Sequence, residues 1–334
     1  MSGSVDEATS AAPIFIVGAP RSGTSLLRNM LGRHPAIGLC GETYFFYYVY
    51  ARRRAFGDLA RPTARRRLVD SYLATRRWRR AGVPLDDLAE ALMREGTSYD
   101  AFFLALLRFY AAFHGKRRYG EKTPGHALDV GTLAAWYPGG RIVHVIRDPR
   151  DVVASLLRMP WGSANALVNA RVWRAHVTAA ENAAGRGNYL AVRYERLVAD
   201  PESELRRVCA FIGEEYDAAM ATASPAPAPE AWWFARALEP VTTARHGAWR
   251  GQLTSDDVAT IEWAAGPLMR RLGYELEQSS LGEASRLCAG ARAAWESLGS
   301  KIRQVPRMWY TWARPTELAA EEARIERGWR RPTG

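Results

Sequence analysis

Apolar positions along the chain fall into short unbroken runs and longer stretches with helical spacing. Pro13-Ile14-Phe15-Ile16-Val17-Gly18 is an apolar run closed by glycine, the pattern of a parallel strand buried on both faces. Ala19 to Gly23 reads as a turn. Thr24 to Arg33 then spaces Leu26, Leu27, Met30 and Leu31 along one helix face. Strand, glycine-containing turn and helix are the opening of a nucleotide-binding α/β fold. Arg141 to Ile146 predicts a second strand, followed by the turn Arg147-Asp148-Pro149-Arg150-Asp151 and a helix to about Arg158. Residues 164 to 184 predict a long amphipathic helix, and Asn188 to Val192 a third strand. Asp200-Pro201 supplies a capping carboxylate and a proline at the first helical position, and Gly213 ends that helix. Ser255 to Leu272 predicts another helix, closed by Gly273.

Between the first two strands, residues 44 to 114 are mostly helical in pattern. Their arginine clusters, Arg52–Arg54, Arg65–Arg67 and Arg76–Arg80, read as solvated helix faces. Ala101 to Phe113 is the longest apolar stretch; Arg108 interrupts it and it is too short to span a bilayer, so a buried helix is expected. Ser224 to Pro229 is a proline-rich connector, followed by Trp232, Trp233 and Phe234 as candidates for an acceptor cleft or an apolar anchor. From about Ser280 the chain turns basic and aromatic, with Trp295, Trp309, Tyr310, Trp312 and Trp329. The expected organisation is a disordered tail (1–12), an α/β domain (13–275) and a helical basic extension (276–334). The domain is a P-loop-type parallel sheet flanked by helices, with a helical insertion at about 44–115.

Composition narrows the chemistry only a little. The 334 residues are 48% hydrophobic, enough for one large α/β domain with insertions. Lys and Arg outnumber Asp and Glu by 46 to 35, a formal net charge of +11, which suits an anionic partner. The arginine clusters come with no nucleic-acid-binding motif, so nucleic acid is not an expected partner. The three cysteines, Cys40, Cys209 and Cys288, are widely spaced and odd in number, which fits a reducing, cytoplasmic compartment. Met1 to Pro13 lacks a basic or apolar leader region, so no secretory signal is expected. No His/Cys cluster is spaced to hold a metal.

Gly18-Ala-Pro-Arg-Ser-Gly23-Thr24-Ser25 has the glycine spacing of a Walker A loop, whose backbone N–H groups and following helix N-terminus cradle a phosphate or sulfate. Thr24 stands where such a loop carries lysine, and Arg21 supplies the positive charge instead. No strand ends in a Walker B aspartate, which disfavours a nucleoside triphosphate with Mg²⁺. Arg147, at the end of the second strand, and Ser155, about two helical turns on, form a second candidate anion site. Two such sites imply a nucleotide phosphorylated at both ends.

These paired segments resemble the PAPS-dependent sulfotransferases. Gly18 to Leu27 is similar to their 5′-phosphosulfate loop, and Arg147-Asp-Pro-Arg-Asp-Val-Val-Ala-Ser155 to their 3′-phosphate segment. Val192-Arg-Tyr194-Glu-Arg-Leu, Phe211-Ile-Gly213 and His246-Gly-Ala-Trp249-Arg250 are similar to later family landmarks. The likeness covers about residues 13 to 275, and the run Arg28 to Thr43 resembles the tyrosylprotein sulfotransferases and related bacterial enzymes. It implies metal-independent, in-line transfer of a sulfuryl group from PAPS to an acceptor hydroxyl, with PAP as product. Arg21, Ser22, Gly23, Thr24 and Ser25 would bind the phosphosulfate. Arg147, Ser155, Tyr194, Arg245, Gly247 and Arg250 would enclose the rest of the nucleotide, with Trp249 packed beneath.

The same resemblance makes Glu42 the general base and sets Lys122 against the leaving phosphosulfate, with Arg21 assisting. An attacking hydroxyl must lose its proton, and developing charge needs a cation. Glu42 as a helix-terminal carboxylate or an arginine partner, and Lys122 as an exposed loop residue, are the competing readings. His34, before Pro35 at a helix end, reads as capping or packing, and His126 is left unassigned. A carbohydrate, glycolipid, metabolite or peptide tyrosine would all serve as acceptor, and the extension suits a membrane surface or a homodimer contact. A P-loop small-molecule kinase and a non-catalytic nucleotide- or glycan-binding protein on this scaffold are the alternatives.

Overall fold

A computed structural model of the chain describes residues 12–182, 187–221, 243–277 and 316–327, with isolated positions between 282 and 294. The Pro-rich connector, Trp232–Phe234, Cys288 and the extension's tryptophans lie outside the described residues. Among the described residues five parallel strands form one sheet in the order β2-β3-β1-β4-β5. They are β1 Ile14–Gly18, β2 Ile37–Cys40, β3 Arg118–Lys122, β4 Arg141–Ile146 and β5 Tyr189–Arg193. Central β1 pairs with β3 on one side and β4 on the other, and is buried along its whole length. The chain reverses direction across the sheet at β1, and in open α/β sheets that reversal opens a ligand crevice at the strands' carboxyl ends.

Strands β1, β4 and β5 follow the hydrophobic runs, whereas β2 and β3 do not announce themselves. The β3 sequence Arg-Tyr-Gly-Glu-Lys carries three charges, yet every residue in it is buried. Partners make this affordable: Arg118 bonds the Ile212 carbonyl at 2.8 Å and Glu214 at 2.7 Å, and Glu121 and Lys122 are paired as described below. Gly120 is required because a Cβ there would overlap the Ile14 carbonyl of β1.

The two faces of β1 feed different cores. Phe15 and Val17 pack with the insertion through Phe45, Tyr72, Trp78, Phe102 and Phe103. Phe45 and Phe103 stack with ring centres 4.5 Å apart. Ile14 and Ile16 face Leu27, Val143, Leu197 and Val208. The insertion is thus one layer of the main core. Most arginines of its three clusters are exposed, as expected, with three exceptions: Arg65 is buried, and Arg52 and Arg77 pair with Glu321 and Glu322 on the helix Leu318–Arg327. That helix is the longest described segment of the extension. Among the described residues no helix is long and apolar enough to cross a membrane.

Candidate active site

Each strand delivers one piece of the candidate site at its carboxyl end. After β1 comes the loop into the helix Thr24–Leu31. Gly23 adopts φ 97°, and a Cβ there would lie 2.9 Å from Tyr194 Cε2, so glycine lets the Tyr194 ring close against the loop. Arg21 takes a left-handed φ of 72°, which a non-glycine residue adopts only when its surroundings impose it. Its Nε donates to Ser155 Oγ at 3.0 Å, joining the two predicted anion sites directly. Ser22 is fully buried, and its hydroxyl has no hydrogen-bond partner among the described residues. Such a group is costly unless a ligand completes it.

After β4, Arg147 lies with its guanidinium 4.3 Å from the Tyr194 ring centre. It donates to the Arg245 carbonyl at 2.6 Å and the Arg21 carbonyl at 3.4 Å, while its buried Nε has no partner among the described residues. The helix Pro149–Leu157 begins here, with Asp148 capping the Arg150 N–H at 2.8 Å. Asp151 accepts from the Gly247 and Trp249 N–H groups, each at 3.0 Å, and so fastens the 245–250 loop over Arg147. Burial pushes the Asp151 carboxyl up, opposed by Arg147 and these two N–H donors. Trp249 is buried between Arg150 and Arg250, at 4.3 and 4.5 Å from its ring centre. Two arginines, a hydroxyl and unpaired buried donors form a cradle whose chemistry fits phosphate groups.

The other half of the site lies toward β2 and β3. Glu42 follows β2 and Lys122 ends β3; the Lys122 ammonium contacts Glu42 Oε1, and the Tyr44 hydroxyl donates to Oε2. Lys122 is 3% exposed. Burial drives the Glu42 carboxyl up, but the Lys122 charge above all, with Tyr44 and Arg77, outweighs this and holds it below its ordinary value. Arg77 donates to the Glu42 carbonyl at 2.8 Å and stacks on Tyr44 and Tyr48 at 4.6 and 4.8 Å.

Beneath the pair is a fully buried clamp. The Glu121 carboxylate accepts from the Thr43 and Thr123 hydroxyls, the latter at 2.9 Å, and bonds His126 Nδ1. Thr123 Oγ1 accepts from the Thr43 N–H at 3.0 Å, and His126 Nε2 from the Phe46 N–H at 3.5 Å. These bonds tie the 42–46 segment to the end of β3, which fixes the base candidate against the cation.

A model described as "Sulfotransferase family" matches residues 13–218. The chain belongs to the sulfotransferase family. It is 26% identical over 280 residues to protein-tyrosine sulfotransferase 2 of Gallus gallus, covering 78% of this chain and 69% of that protein. It is 28% identical over 299 residues to nodulation protein NoeE of Sinorhizobium fredii, covering 78% of this chain and 65% of that one. Among solved structures, the sulfotransferase domain of the Synechococcus PCC 7002 olefin synthase superposes with a TM-score of 0.56 at 22% identity, over 80% of this chain and 97% of that one. The sulfotransferase domain from the curacin biosynthetic pathway gives 0.56 at 18%, over 80% and 99%. The structural likeness carries the fold: a sulfotransferase α/β architecture.

In this sulfotransferase most of the candidate nucleotide residues meet: Arg21, Gly23, Arg147, Ser155, Tyr194, the Arg245 carbonyl and, through Asp151, Gly247 join in one contact network, and buried Ser22 lies in the same loop. Thr24 is buried at the helix start, and Ser25, next to it, is partly exposed. Arg250 extends outward to Glu277 at 3.3 Å, with its side chain 63% exposed. His34 precedes β2 and so lies at the opposite, amino edge of the sheet; its ring accepts from the Ala36 N–H at 3.1 Å and contacts the Glu215 carbonyl at 3.0 Å. That is the packing role expected of it. His126 stands at the right edge but serves the Glu121 clamp. Tyr44 and Arg77 carry no local signal for the site; Asp151, Thr43, Glu121 and Thr123 stand in or beside segments that the sequence singles out, but without a role assigned to them.

Proposed function

We propose that this sulfotransferase transfers the sulfuryl group of PAPS to an acceptor hydroxyl, with Glu42 as general base and no metal required. The observation that carries the reading is the division of labour along one sheet edge: anion cradle after β1 and β4, carboxylate–ammonium pair after β2 and β3. PAPS, when bound, supplies an activated sulfuryl group and a phosphate leaving group. The loop N–H groups, Arg21 and Ser22 suit its phosphosulfate end; Arg147, Ser155 and the 245–250 loop suit its 3′-phosphate. Glu42 accepts the proton of the attacking hydroxyl, and Lys122 meets charge developing on the leaving oxygen. While Lys122 engages Glu42, the carboxylate is a weak base; a competing negative charge that draws Lys122 away raises its basicity. Base strength is thereby coupled to occupation of the donor cradle.

The acceptor is a hydroxyl compound. Likeness to a protein-tyrosine sulfotransferase favours a phenol as the first class to assay, with carbohydrates second. Calorimetric titration of PAP in EDTA tests the donor site, and saturable binding is expected. Glu42→Gln retains that binding and loses transfer by at least about a hundredfold. No PAP binding overturns the reading, and an active Glu42→Gln variant removes Glu42 as base.

A further inference from the structure

Tyr44 is a group for which the reaction above has no use, yet it occupies a demanding position. Its hydroxyl donates to Oε2 of Glu42, whose Oε1 faces Lys122. Its backbone is left-handed, φ 48° and ψ 32°, a conformation a tyrosine holds only when neighbours enforce it. The neighbours are Arg77, 4.6 Å from the ring centre, and Tyr48, edge-on at 6.3 Å. Arg77 is itself fixed by the Glu42 carbonyl at 2.8 Å and Glu322 at 3.2 Å. Tyr44 is nonetheless 37% exposed, so this phenol is not sealed in the core.

The sheet order sets how far the phenol is from the donor cradle. β3 lies between β2 and β1, and neighbouring strands are about 4.8 Å apart. Lys122, ending β3, pairs with Ile16 of β1 one strand spacing away, and the loop begins after Gly18, two residues further along β1. The carboxylate that touches Lys122 also holds the Tyr44 hydroxyl, on the same edge. Nucleophilic hydroxyl on base, with base on cation, is the arrangement an acceptor must adopt.

We infer that Tyr44 is itself a sulfuryl acceptor, so that without an external hydroxyl the protein sulfates its own Tyr44. The inference rests on the sulfuryl-transfer reading. Tyr44 Oη forms a bond to sulfur and its proton passes to Glu42 Oε2. The bond between sulfur and the 5′-phosphate oxygen of PAPS breaks, and its electron pair leaves on that oxygen of PAP, beside Lys122. The product is a tyrosine O-sulfate whose negative charge faces Arg77. An external acceptor takes the place of Tyr44 on Glu42, so the two compete.

The test incubates the full chain with sulfur-radiolabelled PAPS and no acceptor, maps the label by peptide mass spectrometry, and titrates PAP calorimetrically into the same preparations. The expected result is label on Tyr44, absent in Tyr44→Phe and Glu42→Gln, and falling several-fold as p-nitrophenol is added. Tyr47, more exposed at 47%, stays unlabelled and shows that exposure alone does not direct the reaction. PAP binding by Tyr44→Phe shows that this variant is folded. Protein that binds PAP but leaves Tyr44 unlabelled, or carries the label elsewhere, overturns the inference and leaves the transfer reading standing. Protein that does not bind PAP overturns both.

Discussion

Replacing Lys122 with methionine removes the charge that sets the behaviour of Glu42 while keeping most of the buried stem. The Lys122 side chain is 4% exposed and that of Glu42 14%. Two unit charges about 4 Å apart at an effective dielectric constant of about 20 attract by about 4 kcal/mol, roughly a thousandfold in an ionisation equilibrium. Without that attraction burial dominates, so the Glu42 carboxyl moves from below its ordinary value of 4.5 to above it. In the wild type the folded pKa is depressed, so the pair's stabilisation is fully present above the unfolded value and is lost as pH falls through the folded one. In Lys122→Met the folded pKa is raised, so the buried carboxylate destabilises at neutral pH and the penalty fades once it is protonated. Breaking a buried pair costs about 3 kcal/mol. Urea unfolding of both proteins, followed by tryptophan fluorescence at a series of pH values, should give a gap of about that size at neutral pH that closes as pH falls below the glutamate range. A gap that is absent at neutral pH, or constant down to about pH 4, refutes the assignment of Lys122 as the charge that holds Glu42 ionised.

Two further outcomes follow from the geometry. Gly23→Ala forces a Cβ to within 2.9 Å of Tyr194 Cε2 at a φ of 97°, so Tyr194 must shift off Arg147; at about 1–3 kcal/mol of strain, calorimetry should show PAP binding weakened about tenfold or more, and unchanged affinity contradicts the packing argument. Glu121→Gln leaves at least one of the donors from Thr43, Thr123 and His126 unpaired; unfolding should become easier by about 2 kcal/mol and transfer should fall while PAP affinity holds, and a variant as stable as wild type would show that the clamp is not needed.

The candidate anion cradle was legible in the sequence because its parts are contiguous. Gly18 to Ser25 and Arg147 to Ser155 each sit at a strand–helix junction, and hydrophobic runs mark both strands. The base half was harder to read. β2 is a run of only four residues, Ile37–Cys40, interrupted by Gly38, and β3 carries Arg118, Glu121 and Lys122. The burial of β3 depends on long-range partners such as Glu214 and Thr43. Most of the clustered arginines are exposed, as expected; Arg77 is an exception because its partners, Tyr44 and Tyr48 on one side and Glu322 on the other, are remote from it in the chain.

Glu42 and Lys122 became candidates through resemblance, but their strength as base and cation is a property of the pair. They are 80 residues apart and meet because β3 inserts between β1 and β2. That insertion puts the strand that ends in the lysine between the strand that precedes the carboxylate and the strand that precedes the anion loop. A cation there has two partners to choose from, the base or the incoming negative charge, and cannot fully serve both. On the proposed reading the resting ion pair is the state in which the base is held back, and donor binding is the event that releases it.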